Sequence, residues 1–491
     1  MSEHSVDREN AQHKFLTVMA MTLDDPAPAA DLRVKFDLLH QAAGGGDDPD
    51  WRLRAQRLRA LETLLKANRH RFGQAIAQDF GQRPQAETDL AEVFPSLQSI
   101  RHALRHGKGW MRRRKIGTPL WFRPARSWLQ PRPLGTVGIV APWNYPLYLS
   151  VAPLASAFVA GNRAMLKLSE QAPAFAASFA EAAARHFDPK VLSVITGGPE
   201  VAAQFCALPF DHLLFTGSSA TGRQVMRAAA AQLVPVTLEL GGKSPALLAP
   251  DARLDHAVAR IMTGKLLNAG QTCVAPDHVL LPRGTEEAFI TLARAWVAQH
   301  YPKLATNPDY SRIINDRQYQ RLADGLAAAQ AAGAQLHPLG DAAPDATRRL
   351  MPPMIVTKAQ GPLAEAEIFG PILPLIPYDQ LSDAIRLVQA GPRPLAFYPF
   401  TDCAQTRDLL LGSVMAGGVT VNDTLMHVAS GALPFGGVGA SGMGAYHGQA
   451  GFDRLSHLMP VMAQARRNAA GLLAPPYRAR FRTLIGWMMR F

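Results

Sequence analysis

Cys273 stands at the centre of GKLLNAGQTCVAPDHVL, residues 264–280. It is one of three cysteines, with Cys206 and Cys403. Small and polar neighbours on both sides leave its sulfur accessible, and a catalytic thiol must reach a carbonyl and spend part of its time as thiolate. The alternative is a buried, inert cysteine. Cys206 and Cys403 lack a comparable context and read as structural. Upstream, Glu239 in TLELGGKSP precedes two glycines. A carboxylate there could activate a water; the alternative is a glutamate capping a turn. Asn144 lies in APWNYP, between Trp143 and Tyr145. Its amide could donate to a developing oxyanion, or it could be an ordinary turn residue. A thiol, a carboxylate and an amide donor are together the parts of covalent catalysis at a carbonyl carbon.

Two further patterns suit a nucleotide. FTGSSATGR, residues 215–223, spaces Gly217 and Gly222 as G-x-x-x-x-G between an apolar strand and a helical run. This is neither the G-x-G-x-x-G fingerprint nor a P-loop. A glycine turn opening a helix can still hold a pyrophosphate on backbone N–H groups. LKLSE ends a strand with Lys167, Ser169 and Glu170. Lysine and carboxylate there could take two ribose hydroxyls, or form a solvated ion pair.

The elements that would position these groups alternate. LGTVGIVAPW, RAMLKLS and DHLLFTGS are short apolar strands with alanine-rich helices between them. That order implies α/β architecture with a parallel, doubly wound sheet. VPVTLEL leads into a second α/β lobe with strands near PDHVLLP, MPPMIVTK and PILPLIPY, and VTVNDT returns the chain. Residues 51–109 carry helical patterns, with Leu53, Leu58, Leu61, Leu64 and Leu65 on one face. Residues 118–133 read as a proline-bearing edge hairpin able to pair with another subunit. The expected division is an irregular arm over 1–50, a nucleotide-binding domain over 51–240, a catalytic domain over 241–425, a return segment over 426–477, and a basic apolar tail over 478–491.

Composition narrows the function classes. The 491 residues are 48% hydrophobic and 18% charged, as expected of a globular chain and not a disordered one. Three cysteines without framework spacing point to a reducing compartment, and the polar N-terminus lacks an apolar signal region. The net charge of +12 concentrates in residues 101–117 and in the tail. The first run reads as a solvated helix face, and nothing matches a nucleic-acid motif. The tail is too short and too charged to span a bilayer; packing along the body or lying at a membrane interface are its two readings.

In their order, APWNYP, AGNRAMLKLSE, FTGSSATGR, LELGGKSP, GQTCVAPDHVL, EIFGPILP and LPFGGVGASGMGAYHG resemble the aldehyde dehydrogenase superfamily from about Trp51 to His457. NPDYSRIINDRQYQRL, VNDTLMHVA and GMGAYHGQAGFDRLSH are similar to its class 3 and coniferyl-aldehyde branch, which takes aromatic, medium-chain and long-chain aldehydes. The resemblance implies Cys273 as nucleophile, Glu239 as general base and Asn144 as oxyanion donor. It implies Lys167 and Glu170 at the adenosine ribose, Gly217 and Ser218 beside the pyrophosphate, Glu367 and Phe369 at the nicotinamide ribose and ring, and Trp143 and Ser169 as further cofactor-binding residues. Leu168 departs from the family's usual proline. NAD is the implied cofactor, with NADP as alternative, because Glu170 should repel a 2′-phosphate. No metal is implied. Tyr446, His447 and His427 are typical of the branch near the substrate entrance, or serve as structural hydrogen-bonding groups. A homodimer built by the hairpin and a strand near 456–463, and a cytoplasmic location with peripheral membrane contact as an alternative, complete the expectation. A membrane-associated fatty aldehyde dehydrogenase and a non-catalytic structural member are the rival readings.

Overall fold

The computed structural model describes residues 26–44, 48–468, 471, 474–477 and 479–490. Helix formation over Trp51–Phe80 follows from its ends and one face. Asp50 caps the start by accepting from the Leu53 amide, and Gly81 closes the end at φ 76°. Leu58, Leu61, Leu64, Leu65, Phe72 and Ile76 are fully buried. Each such side chain contributes roughly 1.5–3 kcal/mol of burial. Phe72 packs its ring 5.7 Å from Phe175 and 5.6 Å from Phe179, on the helix Pro173–His186. Leu53 departs from the expected face and is 40% exposed. Arg54 and Arg57 are buried instead. Arg54 donates to the Val159 carbonyl, and Arg57 to those of Gly161 and Asn162. These arginines satisfy carbonyls at the end of helix Tyr148–Ala160, which no intrahelical donor can reach.

The first large sheet has six strands, in the order Gly442–Met443, Val236–Leu240, His212–Gly217, Thr136–Val140, Arg163–Lys167, Leu192–Ile195. All neighbours run parallel except Gly442–Met443, which pairs antiparallel and sets Gly442 opposite Glu239. The chain order reverses between Thr136–Val140 and His212–Gly217, which makes that gap the switch point of a doubly wound sheet. A seven-stranded sheet forms the second lobe, in the order Gln335–Pro338, Met354–Thr357, Ile372–Tyr378, His278–Pro282, Pro245–Leu248, Ala396–Phe400, Gly418–Val419. Its first strand is antiparallel to the second and the rest are parallel. The α/β class and the doubly wound arrangement are as expected.

Three local expectations change. Residues 26–43 are helical, not irregular, and Leu32, Phe36 and Leu39 are buried against Phe205 and Phe210. Residues 1–25 and 45–47 of the expected arm lie outside the described residues. Strand pairing of the hairpin begins upstream of 118: Arg114–Ile116 pairs antiparallel with Arg126–Pro133, and 117–125 form the connection. VTVNDT contributes only its first residue to a strand, Gly418–Val419. Ser456–Ala463 pairs antiparallel with the whole of Arg126–Pro133, completing a three-stranded sheet. In the tail, Ala479–Met488 is a helix with no buried residue, and Trp487 meets Trp121 edge-on at 4.9 Å. Among the described residues no helix is long and apolar enough to cross a membrane.

Candidate active site

Glu239 lies one residue from the end of strand Val236–Leu240, opposite Thr216 of the neighbouring strand. It is 2% exposed, and neither carboxyl oxygen makes a well-formed hydrogen bond. Burial pushes its pKa well above the carboxylate range, opposed only in part by the Gly437 amide and the Arg454 charge. A carboxyl in this state holds its proton to higher pH than a solvent-exposed one.

Cys273 follows a tightly wound segment. Asn268, Ala269 and Gly270 all have positive φ, at 54°, 49° and 76°. At Gly270 a Cβ would stand 2.3 Å from the Gly370 carbonyl oxygen, so only glycine fits. Gln271, fully buried, ties this loop down. Its side-chain amide donates to the Asn268 and Arg312 carbonyls, and its oxygen accepts from the Ile314 amide. The Tyr145 and Thr272 hydroxyls share a hydrogen bond of 2.6 Å, joining the Cys273 loop to the Asn144 loop. Cys273 itself is half-buried at the cavity wall. Burial, then the nearby Glu367 and Glu239 carboxyls, pushes its thiol up to about 12.

Asn144 is buried on the loop leaving strand Thr136–Val140. One Nδ2 hydrogen goes to the Gln271 carbonyl at 3.1 Å. No second partner engages Nδ2 among the described residues, and Asn144 lines the same cavity of about 360 Å³ as Cys273 and Glu239. The Cys273 thiol, the Glu239 carboxyl and the Asn144 amide thus line one chamber. Glu367 and Phe369 line it as well. Burial and the Asp277 charge push Glu367 up to about 8. Phe369 holds the left-handed conformation at φ 50° and sets its ring edge-on to Trp143, centroids 5.4 Å apart. Strained backbone of this kind clusters at functional sites.

A second cavity of about 430 Å³ opens at the sheet's switch point. Lys167, Ser169 and Glu170 line one end. The buried Lys167 ammonium donates to the Leu168 and Gly197 carbonyls and stands 3.9 Å from Glu170. Ser169 accepts from the Gln171 amide. Gly217 ends its strand with no room for a Cβ, which would meet the Phe215 ring at 2.6 Å. Ser218 caps helix Ser219–Ala230, accepting from the Thr221 amide. The two cavities share Pro142, Trp143, Thr216, Gly217, Ser218 and Gln318, so the cleft runs continuously from Glu170 to Cys273.

The structure also shows what motif reading passed over. Asp277 sits four residues past Cys273 and fastens three segments. It accepts from the Ile368 amide, pairs with Lys243 at 2.5 Å, and its amide reaches the Ser244 carbonyl. Burial opposes its ionisation, but the His278 hydrogen bond and the Lys243 and Lys265 charges hold it well below the usual carboxylate range. Gln318 and Arg321 close the chamber from a helix of the second lobe, Asp316–Ala331. A polar residue every three or four positions on that helix was the signal available. His427, Tyr446 and His447 do not line the Cys273 cavity. His427 bonds Thr420 at 2.7 Å and His447 bonds the Tyr148 hydroxyl at 3.0 Å. Burial depresses these imidazoles, to about 4 and about 3. Among the described residues no group of three or more His, Cys, Asp or Glu is arranged to hold a metal.

Residues 40–461 match the model of the aldehyde dehydrogenase family. A probable coniferyl aldehyde dehydrogenase from Pseudomonas aeruginosa is 45% identical, over 89% of this chain and 92% of that protein. Aldehyde dehydrogenase family 3 member B1 from Rattus norvegicus is 34% identical, over 91% and 95%. Among solved structures, the substrate-bound state of Staphylococcus aureus AldH superposes with a TM-score of 0.88 at 35% identity, covering 93% of this chain and 99% of that one.

Proposed function

The chain belongs to the aldehyde dehydrogenase family, an NAD(P)-dependent aldehyde-oxidising oxidoreductase, and from that premise we propose the residues that carry its chemistry. The observation that supports the assignment is the single chamber shared by Cys273, Glu239 and Asn144, opening into a cleft lined by Lys167, Ser169 and Glu170. The cleft suits a dinucleotide: a cap-type helix start and a strand-ending glycine for the pyrophosphate, and a lysine–carboxylate pair for a ribose. Lys167, Ser169 and Glu170 would hold the adenosine ribose, Gly217 and Ser218 the pyrophosphate, and Trp143, Glu367 and Phe369 the nicotinamide end. When bound, the nicotinamide supplies the hydride acceptor.

The protein's own groups do the rest. Cys273 sulfur adds to the aldehyde carbon as its proton passes to solvent water and the carbonyl electron pair moves onto oxygen, giving a hemithioacetal oxyanion. The Asn144 side-chain amide and the Cys273 backbone N–H donate to that oxygen. Loss of hydride leaves an acyl thioester on Cys273. Glu239 then takes a proton from water as the water attacks the thioester carbon. The C–S bond breaks, the carboxylic acid leaves, and the thiol is restored.

Similarity to the Pseudomonas aeruginosa protein favours aromatic aldehydes such as coniferyl aldehyde, with medium- and long-chain aliphatic aldehydes next. NAD is favoured over NADP, because the Glu170 carboxylate faces the ribose end of the cleft. Reduction of NAD across aromatic and graded aliphatic aldehydes, repeated with NADP, tests both points. Turnover with aromatic aldehydes is expected, at a KM about tenfold lower for NAD. No turnover with any aldehyde would sink the functional reading, and equal KM values the cofactor reading.

We further propose a homodimer. Among the described residues Ser456–Ala463 is an eight-residue edge strand paired on one side only, and such an edge invites a second chain. Light scattering should give twice the chain mass, 106.4 kDa from 2 × 53.2 kDa; a monomer at micromolar concentration would overturn this.

A further inference from the structure

Behind Asn144 lies a buried ionic cluster that the reaction scheme does not use. The Arg83 guanidinium is fully buried, 3.3 Å from Glu87 and 2.9 Å from Glu92, which are buried too. It lies over the Phe80 ring at 5.2 Å and the Tyr145 ring at 4.9 Å. Its Nη1 donates to the main-chain carbonyl of Asn144 at 3.0 Å. Glu92 accepts from the Leu147 and Tyr148 amides, at 2.7 and 3.2 Å, so it holds the far end of the same loop. Glu87 accepts from the Ser311 hydroxyl at 2.9 Å and from the Asn268 backbone amide, so it reaches the loop leading to Cys273. The Asn268 side chain closes the circuit by donating to the Asn144 carbonyl at 3.0 Å.

Three buried charges are an expensive way to fill space. Apolar residues of similar volume often serve stability as well or better. What the charges add is direction: Arg83 Nη1 fixes the Asn144 carbonyl and the Glu92 and Glu87 carboxyls fix the Leu147, Tyr148 and Asn268 amides, in a way that hydrocarbon cannot. Glu92 also sits in the five-residue π-helical turn Asp89–Val93, a local widening that re-aims a side chain and is frequent at functional sites.

We propose that Arg83, with Glu87 and Glu92, is the positioning device of the oxyanion hole: it clamps the Asn144 and Asn268 loops together and so sets where the Asn144 amide stands relative to the Cys273 sulfur. The proposal rests on the reading of Asn144 as oxyanion donor. Arg83→Lys keeps the buried charge and loses the guanidinium plane over Phe80 and Tyr145. It is expected to lower kcat about 10- to 100-fold, since a misplacement of about 1 Å can cost that much. Aldehyde KM, and NAD affinity by fluorescence titration, should stay within about 3-fold of the parent. In an Asn144→Ala background the same change should cost less than about 2-fold, because the group it positions is gone. Glu92→Gln keeps one acceptor for the Leu147 amide and is expected to follow the same pattern, should Arg83→Lys fail to fold. Parent kcat with only a lowered melting temperature would reduce the cluster to packing. Full multiplication of the two losses in the double variant would also overturn the proposal. Asn144→Ala alone at parent kcat would remove the donor reading itself, whatever the Arg83 variants do.

Discussion

Glu239→Gln is expected to give an enzyme that forms reduced cofactor once per active site and then almost stops. The first half of the reaction needs the thiol and the oxyanion donors. The second needs a base for water, and of the two buried carboxyls lining the chamber, Glu239 and Glu367, the proposed base is Glu239, with Glu367 at the nicotinamide end. Glu239 is buried, both its oxygens lack a well-formed hydrogen bond, and its affinity for a proton is raised by burial. An amide at this position keeps the shape and loses the proton acceptor. Loss of a positioned base typically costs about 10²- to 10⁴-fold. Rapid-quench and stopped-flow traces should therefore show a burst of reduced nicotinamide of parent amplitude, a steady rate lower by that factor, and acyl-enzyme detectable by mass. Parent steady-state turnover would remove Glu239 from the role. The parent enzyme should lose steady-state rate as pH falls, because the carboxyl must be ionised to accept the proton. Its raised pKa places that loss above the ordinary carboxylate range. In the Glu239→Gln variant the steady-state rate should be flat over the same interval.

Cys273→Ala should abolish aldehyde oxidation, with a fall of at least about 10⁴-fold, since removing a nucleophile removes the covalent route and leaves only binding. The small side chain leaves the loop intact, because side chains other than the thiol hold it: Gln271 bonds the Asn268 and Arg312 carbonyls and Thr272 bonds the Tyr145 hydroxyl. NAD affinity should be preserved, and no burst of reduced nicotinamide should appear. Burst or turnover at the parent level would sink the assignment. With the thiol pushed up to about 12, alkylation of the ligand-free enzyme should be slow at neutral pH and still rising above about pH 9. A plateau below about pH 8 would show that another group stabilises the thiolate.

Much of the site was legible in sequence because its chemistry lies in short motifs at the ends of strands. Glu239, Gly217 and Lys167 lie at the ends of three strands of one sheet, and that is where a doubly wound fold gathers its ligands. What escaped was whatever depends on partners distant in the chain. Nothing in the sequence singles out Arg54, Arg57 and Arg83, yet each is buried against main-chain carbonyls supplied by segments 61 to 105 residues away. The 26–43 helix hid behind prolines and an AAGGGDDPD run, although Leu32, Phe36 and Leu39 keep helical spacing. Ala396–Phe400 and Pro245–Leu248 carry prolines that count against a central strand, and both are fully buried in the second sheet. In each case burial against another element outweighed the local signal.

The antiparallel pairing of Gly442 with Glu239 carries a consequence for how the enzyme comes into being. A ribosome that has passed Cys273 has already made nucleophile, carboxyl and amide donor, but the strand that flanks Glu239 is still about 170 codons away, at Gly442 and Met443. Until it arrives, that edge of strand Val236–Leu240 lacks the strand that pairs with it in the folded protein. Cys273 and Glu239 are thus synthesised well before the strand that completes the sheet beside Glu239.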